Sequence, residues 1–193
     1  DRAVVSTDDE RIANAAEKEG VLAPFRRPEC LSGDRIGDWD VLHQALVEME
    51  SQDGQRYDIV VMLQPTSPLR TPRQVTGCVE QLVEGGYDAV WTVSETDSKG
   101  HPLKQLIVSE SGQMDYYDER GAQVIARQQL EPVFHRNGVA YAITRDCLLD
   151  QKSIKGNRCG AFVVNDILAN VDTEEDLEWA EFQARELDLE WLR

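Results

Sequence analysis

Two oxygen-bearing side chains near the end of the chain have the type and spacing of a metal site. Asn170 and Asp172 lie two residues apart, and on a strand that spacing puts both side chains on one face. Carboxylate and amide oxygens suit Mg²⁺, which takes few protein ligands and keeps water and phosphate oxygens. The alternative is that Asp172 is a turn residue in front of a helix.

Several cationic side chains are candidates to hold an anionic substrate. The chain has 20 Lys and Arg against 36 Asp and Glu, a formal net charge of −16. An anionic ligand would therefore need locally concentrated positive charge. The same acidity argues against nucleic acid as a partner, because phosphate binding needs a basic footprint. The candidates are Arg27, Lys104, Arg127 and Arg136, and for each the alternative is a solvated surface side chain.

Other common chemistries find no support in the sequence. His43, His101 and His135 are not spaced as metal ligands, and neither a G-x-S-x-G elbow nor a complete GxGxxG or Walker loop occurs. The four cysteines form no CxxC, which favours reduced thiols and a cytoplasmic protein. No apolar run approaches the ~20 residues that span a bilayer. The N-terminus does not resemble a signal peptide, so we expect no membrane partner.

A buried strand and a polar loop are predicted to position the candidate groups. Ile59–Leu63 is a continuous apolar run, typical of a strand buried on both faces. The loop from Gln64 to Arg70 is polar and contains two prolines. Thr71 and Gln74 have the spacing of a capping box at the start of a helix. Ligands bind at the carboxyl ends of strands in open α/β sheets, so the loop is a candidate binding element. The alternative is an ordinary connection.

Strands and helices alternate along most of the chain, which predicts a parallel, layered α/β sheet in a single domain, 1–193. Capping boxes beginning at Thr7, Thr71 and Thr173 predict helices after three strand ends. Residues 94–132 break the alternation with short strands, as a lid or an oligomerisation arm would. Strands are predicted over 1–6, 21–25, 59–63, 88–93, 133–144, 160–164 and 169–172.

The chain resembles the acylneuraminate cytidylyltransferases, which make CMP-activated sialic acids and related nonulosonic acids. The most specific string is LQPTSPLR at 63–70, and the matching strings follow the family's order over nearly the whole chain. The resemblance implies a three-layer Rossmann-like nucleotidyltransferase sheet with a small inserted dimerisation arm at 94–132, and therefore a homodimer. The other strings lie at 5–8, 27–29, 101–104, 127–130, 137–141 and 171–177.

The resemblance also implies a reaction and roles for individual residues. In the family, the C2 hydroxyl of the sugar attacks the α-phosphate of CTP and pyrophosphate leaves, with Mg²⁺ neutralising phosphate charge. Asp172 is implied to be the catalytic metal ligand, beside Asn170. The implied substrate-binding residues are Arg27 near the cytosine, Gln64 and Tyr141 at the sugar, Asn137 near nucleotide or metal, and Lys104 and Arg127 reaching a carboxylated sugar from the arm.

Two departures from the family pattern leave alternatives open. Family members carry an N-terminal strand and a Gly/Ser/Lys-rich loop that grips the triphosphate, and the resemblance begins after both. Asn170 stands where the family usually has an aspartate. One alternative is a truncated, non-catalytic homologue serving as a binding or assembly module. The other is a 3-deoxy-manno-octulosonate cytidylyltransferase, against which the LQPTSPLR and RQQL strings argue.

Overall fold

The computed structural model describes residues 1–187. The helices are α1 (Glu10–Lys18), α2 (Asp38–Asp53), α3 (Pro72–Gly85), α4 (Arg145–Leu149) and α5 (Glu174–Glu186). The strands are β1 (Ile59–Met62), β2 (Ala89–Glu95), β3 (Leu106–Val108), β4 (Met114–Tyr116), β5 (Phe134–Thr144) and β6 (Cys159–Val163). No helix within the described part of the chain is long and apolar enough to cross a bilayer.

The main sheet is mixed, with the strand order β1-β5-β2-β6. β1 and β5 are antiparallel, with Ile59 opposite Thr144 and Met62 opposite Tyr141. The Asp88 N–H donates to the Arg158 carbonyl, and the Val164 N–H donates to the Val93 carbonyl. Residue numbers rise together along both segments, so β2 and β6 are parallel. The prediction of a wholly parallel sheet was therefore wrong, because β5 is reversed. Parallel strands are usually joined by a crossover helix. The segment before β5 contains a hairpin instead, so β5 is free to run antiparallel to its neighbours.

β1 is less buried than its apolar sequence predicted. Its residues are all half-buried, because β1 stands at the end of the strand order. The buried strand is β5, where Val139, Ala140, Ala142 and Ile143 are fully enclosed.

The two predicted N-terminal strands are reduced to isolated parallel bridges, Val4 with Leu22 and Thr7 with Arg26. Pro24 lies between the bridged positions and has no N–H to donate to a ladder. The predicted cap at Thr7 was also wrong, because α1 begins at Glu10 with Asp9 as its N-cap. Thr7 instead accepts a hydrogen bond from the Asp9 N–H at 3.1 Å.

The other two predicted capping boxes are confirmed. The Thr71 N–H donates to Gln74 Oε1 at 2.8 Å, and the Gln74 N–H donates to Thr71 Oγ1 at 3.4 Å. At α5, Thr173 accepts from the Asp176 N–H and Asp176 in turn accepts from the Thr173 N–H. These caps satisfy backbone donors that helices leave unpaired at their first turns.

The chain divides into two compact units, while its single-domain organisation over 1–193 stays a prediction. The first unit comprises Asp1–Met62, Cys78–Val90 and Tyr141–Gly160. The second comprises Leu63–Gly77, Trp91–Ala140 and the chain from Ala161 onward. In the second unit an apolar cluster forms from Leu69, Ala169, Val171, Ala180 and Ala184.

The excursion over 94–132 contains the hairpin that the sequence predicted. β3 and β4 pair antiparallel, with Leu106 opposite Tyr116 and Val108 opposite Met114. Gly112 turns the hairpin with a φ of 80°, a conformation open to glycine at little cost. The apolar side chains of this hairpin are exposed, Val108 by 68% and Met114 by 65%.

Candidate functional site

The loop from Gln64 to Arg70 is closed on itself and fastened to β5. The Gln64 N–H donates to the Gly138 carbonyl at 3.3 Å, and the buried Ser67 hydroxyl donates to the Asn137 carbonyl at 2.9 Å. The Gln64 carbonyl accepts from the Ser67 N–H at 3.1 Å and from the Arg70 guanidinium. We call residues 64–70 the Gln64 loop.

Gly138 makes room for the Gln64 side chain. Its φ is 73°, and a Cβ placed there would lie 2.5 Å from Gln64 Oε1 and 2.6 Å from Ser67 Oγ. Side chains other than hydrogen are strained at that φ and would also collide with both groups. The Gln64 amide therefore lies directly over the backbone of β5.

Asn137 uses both ends of its side-chain amide inside the protein. Its Oδ1 accepts from the Val139 N–H at 3.2 Å, and its Nδ2 donates to Ser94 Oγ at 3.0 Å. The Ser94 hydroxyl then donates to the Val164 carbonyl at 3.1 Å. Asn137 thus holds the β5 backbone beside Gly138, and its contact with nucleotide or metal stays a prediction.

The segment with Asn170 and Asp172 lies against the Gln64 loop. The Val171 N–H donates to the Thr66 carbonyl at 2.9 Å, and Leu69 packs with Ala169 and Val171 in the apolar cluster. The predicted strand over 169–172 was wrong, because its backbone bonds a loop rather than a sheet neighbour. The structure nevertheless brings the predicted metal pair and the predicted sugar contact into one unit.

Asp172 stands just before the N-terminus of α5. The Asp176 carboxylate accepts from the Thr173 hydroxyl at 2.8 Å and from the Thr173 and Asp172 N–H groups, and these bonds lower the pKa of Asp176. Asp172 is therefore also a turn residue in front of a helix, as the alternative held.

The donor set fits a metal only in part. Among the described residues no group of three His, Cys, Asp or Glu side chains could hold an ion. Asp172 and Asn170 are both exposed, and the Asn170 Nδ2 donates to Asp172 Oδ2. With its amide turned over, Asn170 would present oxygen beside the carboxylate. Such a pair fits Mg²⁺ in chemistry, since that ion takes one or two carboxylates and completes its shell with water and phosphate oxygens.

Two predicted substrate residues, Arg27 and Tyr141, lie in the first unit. The Arg27 Nη2 is 3.6 Å from Asp8 Oδ1, while its buried Nε has no hydrogen-bond partner among residues 1–187. Tyr141 is 2% exposed, within β5. Their predicted contacts with cytosine and sugar stay predictions.

The two cations of the arm are exposed. Lys104 and Arg127 form no ion pair with other described residues, and each lies in a short 3-10 helix. Arg127 lines a shallow cleft of about 190 Å³ together with Glu95, Asp97 and Glu131. Arg136, the remaining candidate, lies with its guanidinium carbon 5.4 Å from the centre of the Trp91 ring, a cation–π arrangement.

The residues that hold this site together were not predicted from the sequence. Four residues supply the contacts that fix the Gln64 loop and the Asn137 side chain: Ser67, Ser94, Arg70 and Gly138. A signal existed for Gly138, since an isolated glycine within a strand pattern often marks a close backbone approach. The contacts of the other three join segments distant in sequence or depend on the loop's closed shape.

Comparison with known proteins places the chain in a family. The sequence profile described as cytidylyltransferase matches residues 1–185. The pseudaminic acid cytidylyltransferase of Campylobacter jejuni is 29% identical over 182 residues, 93% of this chain and 76% of that protein. The N-acylneuraminate cytidylyltransferase of Streptococcus agalactiae is 30% identical over 174 residues, 89% of this chain but 40% of that longer protein.

A solved structure shares the fold. CMP:2-keto-3-deoxy-manno-octonic acid synthetase, complexed with CTP, matches with a TM-score of 0.66 over 96% of this chain and 82% of that one, at 19% identity. The likeness confirms the predicted Rossmann-like nucleotidyltransferase fold. With the family profile covering nearly its whole length, the chain belongs to the cytidylyltransferase family.

Proposed function

We propose that this cytidylyltransferase activates a sialic acid or a related nonulosonic acid with CTP, giving the CMP-sugar and pyrophosphate. The observation that carries the proposal is the bond between the Val171 N–H and the Thr66 carbonyl. That bond joins the Gln64 loop to the segment with Asn170 and Asp172, so the proposed sugar contact and the proposed metal pair lie in one unit. Relatives named for pseudaminic and N-acylneuraminic acids support the choice of substrate class.

In the proposed reaction a bond forms between the sugar's C2 oxygen and the α-phosphorus of CTP, while the bond from that phosphorus to pyrophosphate breaks. The proton of the C2 hydroxyl is released to solvent. The chain's contribution is positioning and electrostatics, because phosphoryl-type transfer needs aligned reactants and stabilised oxygen charge. Gln64 orients the sugar acid through its amide. Lys104 and Arg127 supply positive charge for a carboxylate. Neither forms an ion pair with another described residue, although Arg127 shares its cleft with Glu95, Asp97 and Glu131.

Mg²⁺ is the proposed cofactor, held by Asp172 and Asn170. Bound there, it would neutralise charge on the phosphate oxygens of CTP. The exposed carboxylate of Asp172 at a helix N-terminus supports this role, and the amide at 170 contributes an oxygen without adding charge. Asn170 and Asp172 together carry one negative charge less than two aspartates would. We therefore expect weak Mg²⁺ binding until the phosphate oxygens of CTP also coordinate the ion.

A homodimer and a cytoplasmic location complete the proposal. The exposed apolar side chains of the β3–β4 hairpin are the support for a dimer formed through the arm, since exposed apolar patches commonly mark interaction sites. None of the four cysteines, all within residues 1–187, forms a disulfide, which accords with a reducing compartment.

Pyrophosphate release from CTP tests the proposal. The full-length protein would be assayed with Mg²⁺ and a panel of N-acylneuraminic, pseudaminic, legionaminic and 3-deoxy-manno-octulosonic acids. We expect release with at least one nine-carbon acid. Release with the octulosonic acid alone would establish the other enzyme reading, and no release with any acid would favour a non-catalytic binding or assembly module.

A further inference from the structure

Arg70 has an unusual environment for a charged side chain. It is half-buried, its Nε is enclosed with no hydrogen-bond partner within residues 1–187, and no described carboxylate lies within ion-pair distance. Desolvation lowers the pKa of the guanidinium. Enclosing a cation without a counter-charge costs stability unless its hydrogen bonds compensate.

The one hydrogen bond that Arg70 makes to another described residue closes the Gln64 loop. Its Nη2 donates to the carbonyl of Gln64, six residues earlier. A charged donor makes a stronger bond to a carbonyl than a neutral donor does. The same carbonyl accepts from the Ser67 N–H at 3.1 Å, so Gln64 is held from its carbonyl side by two donors.

Gln64 is also held on its other sides. Its N–H is bonded to the Gly138 carbonyl, and its side-chain Oε1 occupies the space over Gly138 that a Cβ would fill. Once the carbonyl is fixed as well, the peptide planes on both sides of Gln64 have set orientations. The direction in which the Gln64 amide leaves the backbone then follows from the loop rather than from the amide's own contacts.

We propose that Arg70 is a positioning residue, which acts on the sugar acid through Gln64 by fixing the Gln64 carbonyl. The expected change in KM for the acid rests on the proposed function. The expected change in the mobility of the Gln64 side chain does not. The competing role is direct contact between the Arg70 guanidinium and an anionic group of a substrate.

A double-mutant cycle with Gln64→Ala separates the two roles. The variants are Arg70→Met, Arg70→Lys, Gln64→Ala and the double variant Arg70→Met/Gln64→Ala. Arg73→Met is the matched control, because Arg73 is an exposed arginine three residues away. kcat and KM would be measured separately for the nonulosonic acid and for CTP, with thermal unfolding to monitor the fold.

Positioning predicts that Arg70→Met raises KM for the acid about 10-fold, the effect of losing one charge-assisted hydrogen bond. KM for CTP should change by less than about 2-fold, and Arg70→Lys should recover part of the loss. In the Gln64→Ala background Arg70→Met should add nothing further. An equal rise in KM for the acid in both backgrounds would mean that Arg70 acts without Gln64, and the proposal would be overturned.

A second measurement does not depend on turnover. In ¹⁵N-labelled protein, the side-chain amide of Gln64, assigned by its loss in Gln64→Ala, should show a heteronuclear NOE close to that of the backbone. Arg70→Met should lower that NOE and Arg73→Met should not. An unchanged NOE in Arg70→Met would refute positioning even if no acid were turned over. Failure of every acid in the wild type would count against the proposed function alone.

Discussion

The residues proposed for chemistry owe their placement to neighbours that do no chemistry. Gln64 is held through Arg70, Ser67 and the bare backbone of Gly138. Asp172 is held through its N–H, which donates to Asp176 at 3.1 Å. Substitution of a holding residue should therefore change substrate use with little change in the residues that touch substrate.

Asp172→Ala tests the carboxylate itself. We expect Mg²⁺-dependent pyrophosphate release to fall by about 100-fold or more, because the charge that orients the ion and the α-phosphate is lost. Glu178→Ala, at an exposed acid of α5, is the control and should leave turnover within about 2-fold. Turnover of Asp172→Ala close to that of the wild type would show that Asp172 is not the ligand.

Gly138→Ala tests the contact between Gln64 and β5. The variant incurs the strain of a positive φ, about 1–2 kcal/mol, and the overlap with Gln64 and Ser67, about 1–3 kcal/mol more. Gly112→Ala is a matched control, with a φ of 80° and no atom within 4 Å of the added Cβ. Urea unfolding should show Gly138→Ala to be the more destabilising, with a raised KM for the acid. An equal loss of unfolding free energy in Gly138→Ala and Gly112→Ala would mean that the Gln64 loop moves aside without cost.

At the scale of elements, the site depends on connections rather than on the strands themselves. The Gln64 loop follows β1, Asn137 belongs to β5, and the proposed metal pair precedes α5. One apolar side chain, Leu69, joins the first of these to the last, since it is 4% exposed and packs with Ala169, Val171 and α5 alanines. Leu69 therefore ties the loop to the apolar cluster of the second unit.

Leu69→Ala should consequently cost both stability and function. Removing this side chain leaves a cavity, which costs about 2–5 kcal/mol of unfolding free energy, and it loosens the Gln64 loop from the segment of Asp172. Leu177→Ala, at a leucine of α5 that is 49% exposed, should cost less than about 1 kcal/mol. Urea unfolding and KM for the acid would be measured for both. A stability loss in Leu69→Ala with no change in KM would show that the packing of Leu69 does not affect substrate binding.

At the scale of the whole molecule, the apolar surface of the arm and the net charge have opposite effects on self-association. The hairpin exposes Ile107, Val108 and Met114 to more than half of their area, although the chain carries a charge of −16 that opposes association. A dimer therefore has to bury apolar arm surface to offset charge repulsion. Association should strengthen with salt, which screens repulsion between distant charges.

Val108→Asp should dissociate the proposed dimer, because it puts a charge into an interface core where charge is disfavoured. Light scattering coupled to gel filtration should give twice the mass of one chain for the wild type and a single chain mass for the variant. Val83→Asp, at an exposed valine of α3 outside the arm, should remain dimeric. A wild type that is monomeric at micromolar concentration would exclude the arm as a stable dimer interface.

Lowering the pH from about 4 towards 2 should lower the free energy of unfolding. The bond with Arg11 lowers the pKa of Asp9 from 3.8 to about 2, and the bond with Arg120 does the same for Asp118. A folded-state pKa below the unfolded one stabilises the fold at pH above about 4, and this contribution is lost as pH falls towards 2. Both pairs are exposed, so salt should weaken the effect. Unfolding curves of Asp9→Asn/Asp118→Asn should depend less on pH in that window than the wild type, with Glu178→Gln as the control. Equal slopes would contradict the assignment.

The parts of this protein that the sequence determined by itself are those that depend on neighbours within one helical turn. The caps at Thr71 and Thr173 follow from residue types three positions apart. The family and the Gln64 loop were recognisable for a similar reason, since LQPTSPLR is one continuous string.

Only the tertiary structure decided how these parts meet. The reversed direction of β5, the loss of the strand at 169–172 and the holding roles of Ser67, Arg70 and Gly138 depend on contacts between distant segments, such as Ser67 with Asn137, 70 residues apart. A backbone carbonyl accepts a bond from any donor that folding brings to it, so side-chain type does not specify the partner. Local spacing therefore predicts which groups are available, and the packing of the chain determines which of them are held in place to act.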